Sequence, residues 1–399
     1  MKIKVNGKGL HGCVPAIASG AMALRLLICA ALSDGPSQIR CEAVSRDISV
    51  AAGCLRAAGC ALTYTGGTFY AIPQRRPERA MLDCRESAAA MWLLLPVMAS
   101  LGIKCRVDIG NRLIKSPLST LYSTLSEHGE VLSPEDSDPL LLSGRLRGGS
   151  YRLRADASPM LISGLLFALP LLSEDSKIVL SGKQNTSPQV EMTLNALRTF
   201  GIKINRTPDG YSISGKQKYR TPGAVSVEGD WTSGAYWLCA AALGSPLTVS
   251  ELDGESLQGD RQITELLSLL KKDSAKVLVD AGNIPDLIPA VSVVAAVQNK
   301  TTVLYNTEDQ RLKELTCAML RAIGATVTPI KDGLRIKGAP NSLYPATVEA
   351  DGDFRIAMAA AIASVAAGDV TILDCDAPDS TYPAFFESFR RLGGTVIIR

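Results

Sequence analysis

Six times along this 399-residue chain the same unit recurs. A small polar residue precedes a helix of small apolar residues; a short break and a β-branched run follow. The helical segments span 22–32, 88–101, 161–172, 235–243, 287–297 and 356–367. They lead into strand-like stretches at 37–41, 104–109, 177–181, 247–252, 301–305 and 369–373. A second helix then ends on a glycine or a charge, as in Leu55-Arg-Ala-Ala-Gly59, Leu125-Ser-Glu-His-Gly129, Leu197-Arg-Thr-Phe-Gly201, 266–272, Leu320-Arg-Ala-Ile-Gly324 and Phe389-Arg-Arg-Leu-Gly393. A period of roughly 55 to 75 residues exceeds most solenoid repeats and suits a repeated supersecondary unit. Helices alternating with strands in this way place the chain in the α/β class.

The chain is longer than the roughly 250 to 300 residues that one core normally fills, so two domains are expected. With 46% hydrophobic residues but only 5% aromatic ones, the core must be built from Ala, Leu, Ile and Val. A net charge of +3 creates no polyelectrolyte field, so neither a nucleic-acid nor an acidic-membrane partner is expected. No stretch reaches the roughly 18 to 20 apolar residues of a membrane span. The opening Met1-Lys-Ile-Lys-Val-Asn-Gly7 reads as an edge strand and not as a signal peptide, which implies a cytoplasmic location. Ten cysteines occur without a Cys-x-x-Cys pair, and Cys29, Cys54, Cys239 and Cys317 sit in apolar helical patterns, as reduced buried thiols would. With only His11 and His128 present and no ligand cluster, neither a metal nor a cofactor is expected.

At the six helix starts stand Ser19, Ser87, Ser158, the Thr232-Ser233 pair, Asp286 and Asp353. Such short side chains accept hydrogen bonds from the free N–H groups of a first turn, so each is a candidate helix cap. Equivalent helices in a repeated architecture point the same way within each half. Their positive ends then converge, an arrangement suited to an anionic ligand.

The segment 14–32, VPAIASGAMALRLLICAAL, is similar to the signature Ala-Ile-Pro-Ser-Lys-Ser-x-x-His-Arg and its alanine-rich helix in EPSP synthases, the 3-phosphoshikimate 1-carboxyvinyltransferases. The resemblance continues in order through Ser45-Arg-Asp-Ile48, Asp83-Cys-Arg-Glu-Ser87, Ile162-Ser-Gly-Leu-Leu-Phe-Ala-Leu-Pro170, Val227-Glu-Gly-Asp230, Leu257-Gln-Gly-Asp260, Ile284-Pro-Asp-Leu287, Arg311-Leu-Lys-Glu314, Asp353-Phe-Arg355 and Tyr382-Pro-Ala-Phe385. It implies a two-domain inside-out α/β barrel of six βαβαββ repeats with ligands between the domains. One domain would comprise 1–13 and 227–399, the other 14–226. The implied reaction moves the enolpyruvyl group of phosphoenolpyruvate onto the 5-hydroxyl of shikimate 3-phosphate and releases phosphate, within aromatic amino acid biosynthesis. A monomer without cofactor is expected.

The resemblance implies roles for particular residues. Asp286 matches an aspartate that contacts the substrate hydroxyl, Glu314 its acid/base partner and Lys313 a phosphoenolpyruvate-contacting lysine. Arg25 and Arg355 match arginines facing phosphate or carboxylate, Asp353 precedes the latter, and Ser158 and Thr186 match hydroxyls at the shikimate-phosphate end. Ser19 and Glu86 fall in the substrate-facing helix starts. An alternative register places Arg311 on a family arginine and gives up Lys313.

Departures from the pattern fall on the same side. The signature lysine is Gly20, its serine neighbour Ala21 and its histidine Leu24. Trp92, Ser116 and Ser380 replace cations, the Ser-Ser-Gln triplet is Ser158-Pro-Met160, Gln189 replaces a stacking aromatic, and Phe354 replaces a histidine. Of the family's anion-handling cations only Arg25, Lys313 and Arg355 remain. Each charge-assisted hydrogen bond is worth roughly 1.5 to 3 kcal/mol, so losses of this number compete with micromolar binding at about −8 kcal/mol. Two readings follow: a working transferase, with the usual or a less anionic acceptor, and a non-catalytic homologue retained for binding. Ser19-Gly-Ala21 also resembles the start of a UDP-N-acetylglucosamine enolpyruvyl transferase motif. That motif's lysine and asparagine would be Met22 and Ala23, and its loop cysteine has no match between Gly110 and Leu118.

Overall fold

The computed structural model describes residues 1–84, 87–110, 118–135, 137–154, 157–181, 187–307, 309–375 and 381–398. The first helix of each repeat is apolar on all sides and therefore buried on all sides. In Ala88–Leu101 every residue from Ala90 to Ser100 is buried. The second helices bury one stripe only, as Arg46–Ala57 does with Ile48, Ala51, Ala52, Cys54 and Leu55. The small side chains let backbones approach closely. A Cβ on Gly164, in helix Pro159–Ala168, would lie 2.5 Å from the Trp92 carbonyl oxygen of the neighbouring helix.

The chain forms two units, Ala18–Val227, which is contiguous, and Met1–Ile17 with Glu228–Arg399, which is split. The crossings lie a few residues beyond those read from sequence, and the hydrogen bonds explain why. Strand Gly12–Pro15 pairs in parallel with Leu247–Ser250, the Ala16 amide donates to the Ser250 carbonyl (3.0 Å) and the Asp230 amide to the Ile17 carbonyl (2.7 Å), so 14–17 belong with the split unit.

The contiguous unit holds three four-stranded sheets, in the orders Ala224–Ser226, Ser37–Arg40, Thr68–Pro73, Cys60–Thr65; Arg79–Asp83, Lys104–Asp108, Leu140–Gly144, Glu130–Leu132; and Gly149–Arg154, Ser176–Ser181, Gly210–Ile213, Asn205–Thr207. In each the first pair is parallel and the remaining pairs are antiparallel. Parallel neighbours require a crossover, and the buried helix supplies it, for example Ala88–Leu101 between Arg79–Asp83 and Lys104–Asp108.

The split unit repeats this arrangement twice, in Lys276–Asp280, Thr301–Tyr305, Gly333–Lys337, Thr326–Ile330 and in Ala346–Glu349, Val370–Leu373, Lys2–Asn6, Thr395–Ile398. Its third repeat is shorter, a two-stranded sheet of Gly12–Pro15 and Leu247–Ser250. From Leu247–Ser250 the chain runs through helix Ile263–Lys271 into strand Lys276–Asp280 of the next sheet, leaving no residues for an antiparallel hairpin. Strand Lys2–Asn6 is not at an edge: it pairs on both sides, with Val370–Leu373 and Thr395–Ile398. Among the described residues no helix is long and apolar enough to cross a membrane.

Candidate active site

In the split unit four helix starts bring carboxylates and guanidiniums together. Helix Trp231–Ala242 is capped by Asp230, whose carboxylate accepts from the Ser233 amide at 2.6 Å; the Thr232-Ser233 pair is inside the helix and not its cap. Thr232 donates its hydroxyl proton to Asp260 instead. Asp309 caps helix Gln310–Ala322 through the Leu312 amide (2.9 Å), and Asp353 caps Phe354–Ala367 through the Arg355 amide (2.9 Å).

Asp286 differs from the expected cap. Pro285 at the start of a short 3-10 turn, Pro285–Leu287, places Leu287 at the start of helix Ile288–Ala296, and the Asp286 side chain makes no capping bond. It is free to accept from Arg355 Nη1 at 3.3 Å. Arg355 also donates from Nε and Nη2 to Asp353 (3.0 and 2.7 Å) and from Nη2 to Asp309 (3.2 Å). Arg311, in the first turn of its helix, reaches Asp351 (2.7 Å) and Asp353 (3.4 Å). Beneath them the Tyr236 hydroxyl donates to the Asp286 carbonyl at 2.8 Å.

Burial and charge sort these carboxyl groups. Desolvation raises Asp286 above the usual carboxylate range, with Arg355 opposing, although 42% of its side-chain surface stays accessible. Asp260 is raised well above the usual carboxylate range, by burial first and then by the Asp286 charge, with the Thr232 hydrogen bond opposing. Asp353 is buried, but the hydrogen bonds and charge of Arg355 outweigh that burial and hold it below the usual range. Burial likewise disfavours the Arg355 cation, and Asp353, Asp286 and Asp309 more than compensate. The site thus offers one exposed carboxylate with a raised proton affinity beside a firmly held cation, a pairing suited to moving a proton next to an anion.

Lys313 and Glu314 do not join this arrangement. At 100° per residue Lys313 points about 200° away from Arg311 around helix Gln310–Ala322, so the two cannot face one cluster. Glu314 accepts from Gln310 Nε2 at 2.6 Å on the exposed surface. The geometry therefore matches the register in which Arg311, not Lys313, is the cation at this helix start.

In the contiguous unit Ser19, Ser87 and Ser158 cap their helices through the Met22 (3.4 Å), Ala90 (3.1 Å) and Met160 (3.3 Å) amides. Arg25 is no ligand-facing cation. It is 1% exposed, and its fork donates to Thr193 Oγ1 (2.8 Å) and to the carbonyls of Ala21 (2.7 Å) and Gln189 (3.0 Å). Trp92, Thr120, Ser158, Arg152 and Arg154 line a cavity of about 660 Å³. Sequence reading missed these two arginines; the signal was the alternation of strand Gly149–Arg154, which buries Tyr151 and Leu153 and turns Arg152 and Arg154 outward. Glu86, Thr186, Ser116 and Ser380 lie outside the described residues.

The EPSP synthase (3-phosphoshikimate 1-carboxyvinyltransferase) family model matches residues 5–389. A 3-phosphoshikimate 1-carboxyvinyltransferase of Clostridium perfringens is 34% identical over 421 aligned positions, covering 98% of each chain. This chain belongs to the EPSP synthase family. A second EPSP synthase relative, the Clostridioides difficile 3-phosphoshikimate 1-carboxyvinyltransferase, is 31% identical over 99% of this chain and 98% of its own. Among solved structures, EPSP synthase from Acinetobacter baumannii superposes with a TM-score of 0.81 at 17% identity over 100% of both chains. The enolpyruvyl transferase NikO from Streptomyces tendae does so with a TM-score of 0.82 at 18% identity, covering 99% of this chain and 98% of its own. The fold is that of the enolpyruvyl transferases, and the chain is an EPSP synthase-like transferase at family level.

Proposed function

We propose that this protein transfers the enolpyruvyl group of phosphoenolpyruvate to a hydroxyl of a small anionic acceptor, with shikimate 3-phosphate as the reference acceptor, as a cytoplasmic step of the shikimate pathway. The observation that carries this reading is Asp286, freed from capping and held against Arg355. Its raised proton affinity suits it to take the acceptor's hydroxyl proton. Arg355 and Arg311 are the cations at hand for the phosphate and carboxylate oxygens. In the described arrangement their donors are occupied by Asp286, Asp309, Asp351 and Asp353, so an incoming anion must displace a carboxylate to gain them. In the contiguous unit, Ser19 and Ser158 cap helix N-termini, which by themselves suit anions. Gly20, where the family carries a lysine, narrows the acceptors to those that need less positive charge.

Phosphate release measured from phosphoenolpyruvate with and without shikimate 3-phosphate tests the reading. Acceptor-dependent release is expected, together with a loss of about 10²- to 10⁴-fold in Asp286→Asn at unchanged melting temperature, since Asp286 caps no helix. No release from the unaltered protein with either this acceptor or phosphate-free shikimate would favour the non-catalytic homologue.

A further inference from the structure

Two thiols outside the candidate active site stand within reach of each other. Cys54 lies in the last turn of helix Arg46–Ala57, and Cys84 directly follows strand Arg79–Asp83. Their Sγ atoms are 3.8 Å apart, although thirty residues separate them in the chain. Cys54 Sγ also lies 3.7 Å from the Asp83 carbonyl oxygen. The pair is buried, yet Cys54 forms part of the wall of a cavity of about 610 Å³, with Arg46, Ser49, Val50, Gly53, Met81 and Asp83.

We propose that Cys54 and Cys84 are a peroxide-sensitive dithiol that closes to an intramolecular disulfide. Cys54 is the attacking sulfur. The hydrogen bond from Cys84 lowers its pKa against the effect of burial, whereas Cys84, as donor, is raised. The Cys54 thiolate attacks one oxygen of hydrogen peroxide; an S–O bond forms, the O–O bond breaks, and the departing hydroxide takes a proton to become water. The Cys84 sulfur then attacks the Cys54 sulfenic acid. The S–S bond forms, the S–O bond breaks, and the Cys84 proton leaves with hydroxide as a second water. The two sulfurs together lose two electrons, which the peroxide oxygens gain. Cys105, on the adjacent strand, is engaged elsewhere: its thiol donates to the Ile103 carbonyl at 3.4 Å.

The closure reaches a helix start. The Ser87 amide donates to the Cys84 carbonyl at 3.0 Å, and Ser87 in turn caps helix Ala88–Leu101. Shortening a 3.8 Å contact to the roughly 2.05 Å of a disulfide moves the sulfur of Cys84, the residue whose carbonyl accepts from the capping Ser87, toward Cys54.

The test is differential alkylation of the full chain before and after hydrogen peroxide, read by peptide mass spectrometry. A linked Cys54–Cys84 peptide that dithiothreitol releases is expected. In Cys84→Ser, Cys54 should accumulate as a sulfenic acid trapped by dimedone; in Cys54→Ser, Cys84 should remain alkylatable. Free Cys54 and Cys84 at a peroxide dose that oxidises the exposed Cys13 would overturn the proposal, as would linkage of either to Cys105. Amide exchange at Ala90 reads the effect on the cap: faster exchange in the disulfide form supports the coupling, and unchanged exchange refutes it.

Discussion

Arg25 resembles a ligand-binding arginine, but two of its three hydrogen bonds tie helix Gly20–Leu32 to helix Pro188–Thr199 as an internal strut, and the third stays within its own helix. Arg25→Lys keeps the charge and loses the fork. It should cost about 2 to 4 kcal/mol in urea denaturation while leaving phosphoenolpyruvate affinity unchanged. Glu130 gives a second test at this scale. Neither of its carboxylate oxygens has a hydrogen-bond partner at good geometry, and burial raises its pKa from 4.5 to about 7, with the Val131 amide offering weak relief. The folded state therefore holds this proton more tightly than the unfolded one. Stability should fall as pH rises from about 4.5 to 7, by roughly 1 to 3 kcal/mol at most, and Glu130→Gln should remove that slope in denaturation curves taken across the range. Neither role was legible beforehand, because type and spacing identify a buried arginine or glutamate no differently from an exposed one.

At the scale of the element, the alternation of small apolar helices with β-branched runs was legible because each element type carries its own periodicity. Helix starts were less so. Ser158 precedes Pro159, which is well suited to a first helical position, so the helix begins at Pro159 and not at 161. The cap of helix Trp231–Ala242 is Asp230, two residues before Thr232 of the hydroxyl pair that attracted attention. The two cations at the start of Gln310–Ala322, Arg311 and Lys313, lie two residues apart and so on different faces. Packing between elements makes a sharper prediction: Gly164→Ala would push a methyl to 2.5 Å from the Trp92 carbonyl, backbone that cannot swing away. Loss of about 1 to 3 kcal/mol is expected in thermal denaturation despite alanine's better helix propensity.

On the scale of the molecule, the repeat gave six like segments and the family resemblance implied their division into two units of three; the two-stranded sheet of Gly12–Pro15 and Leu247–Ser250 shows where the repetition is incomplete. The charge inventory also takes on meaning only here. Two arginines that the sequence reading passed over, Arg152 and Arg154, lie on the outward face of strand Gly149–Arg154 and line a cavity.

Strand Lys2–Asn6 lies between Val370–Leu373 and Thr395–Ile398, so the sheet that holds it joins stretches of chain on either side of the whole contiguous unit. Closing so long a loop is entropically slow, whereas each sheet of Ala18–Val227 uses partners from its own unit. Assembly therefore has a direction in time. In pulse-labelled refolding, the amides of Lys104–Asp108 should gain protection before those of Lys2–Asn6, and equal rates would contradict this. During synthesis the strand that emerges early must wait, unpaired, for partners that emerge late, and the nascent chain carries an open sheet edge for as long as the intervening unit takes to be made.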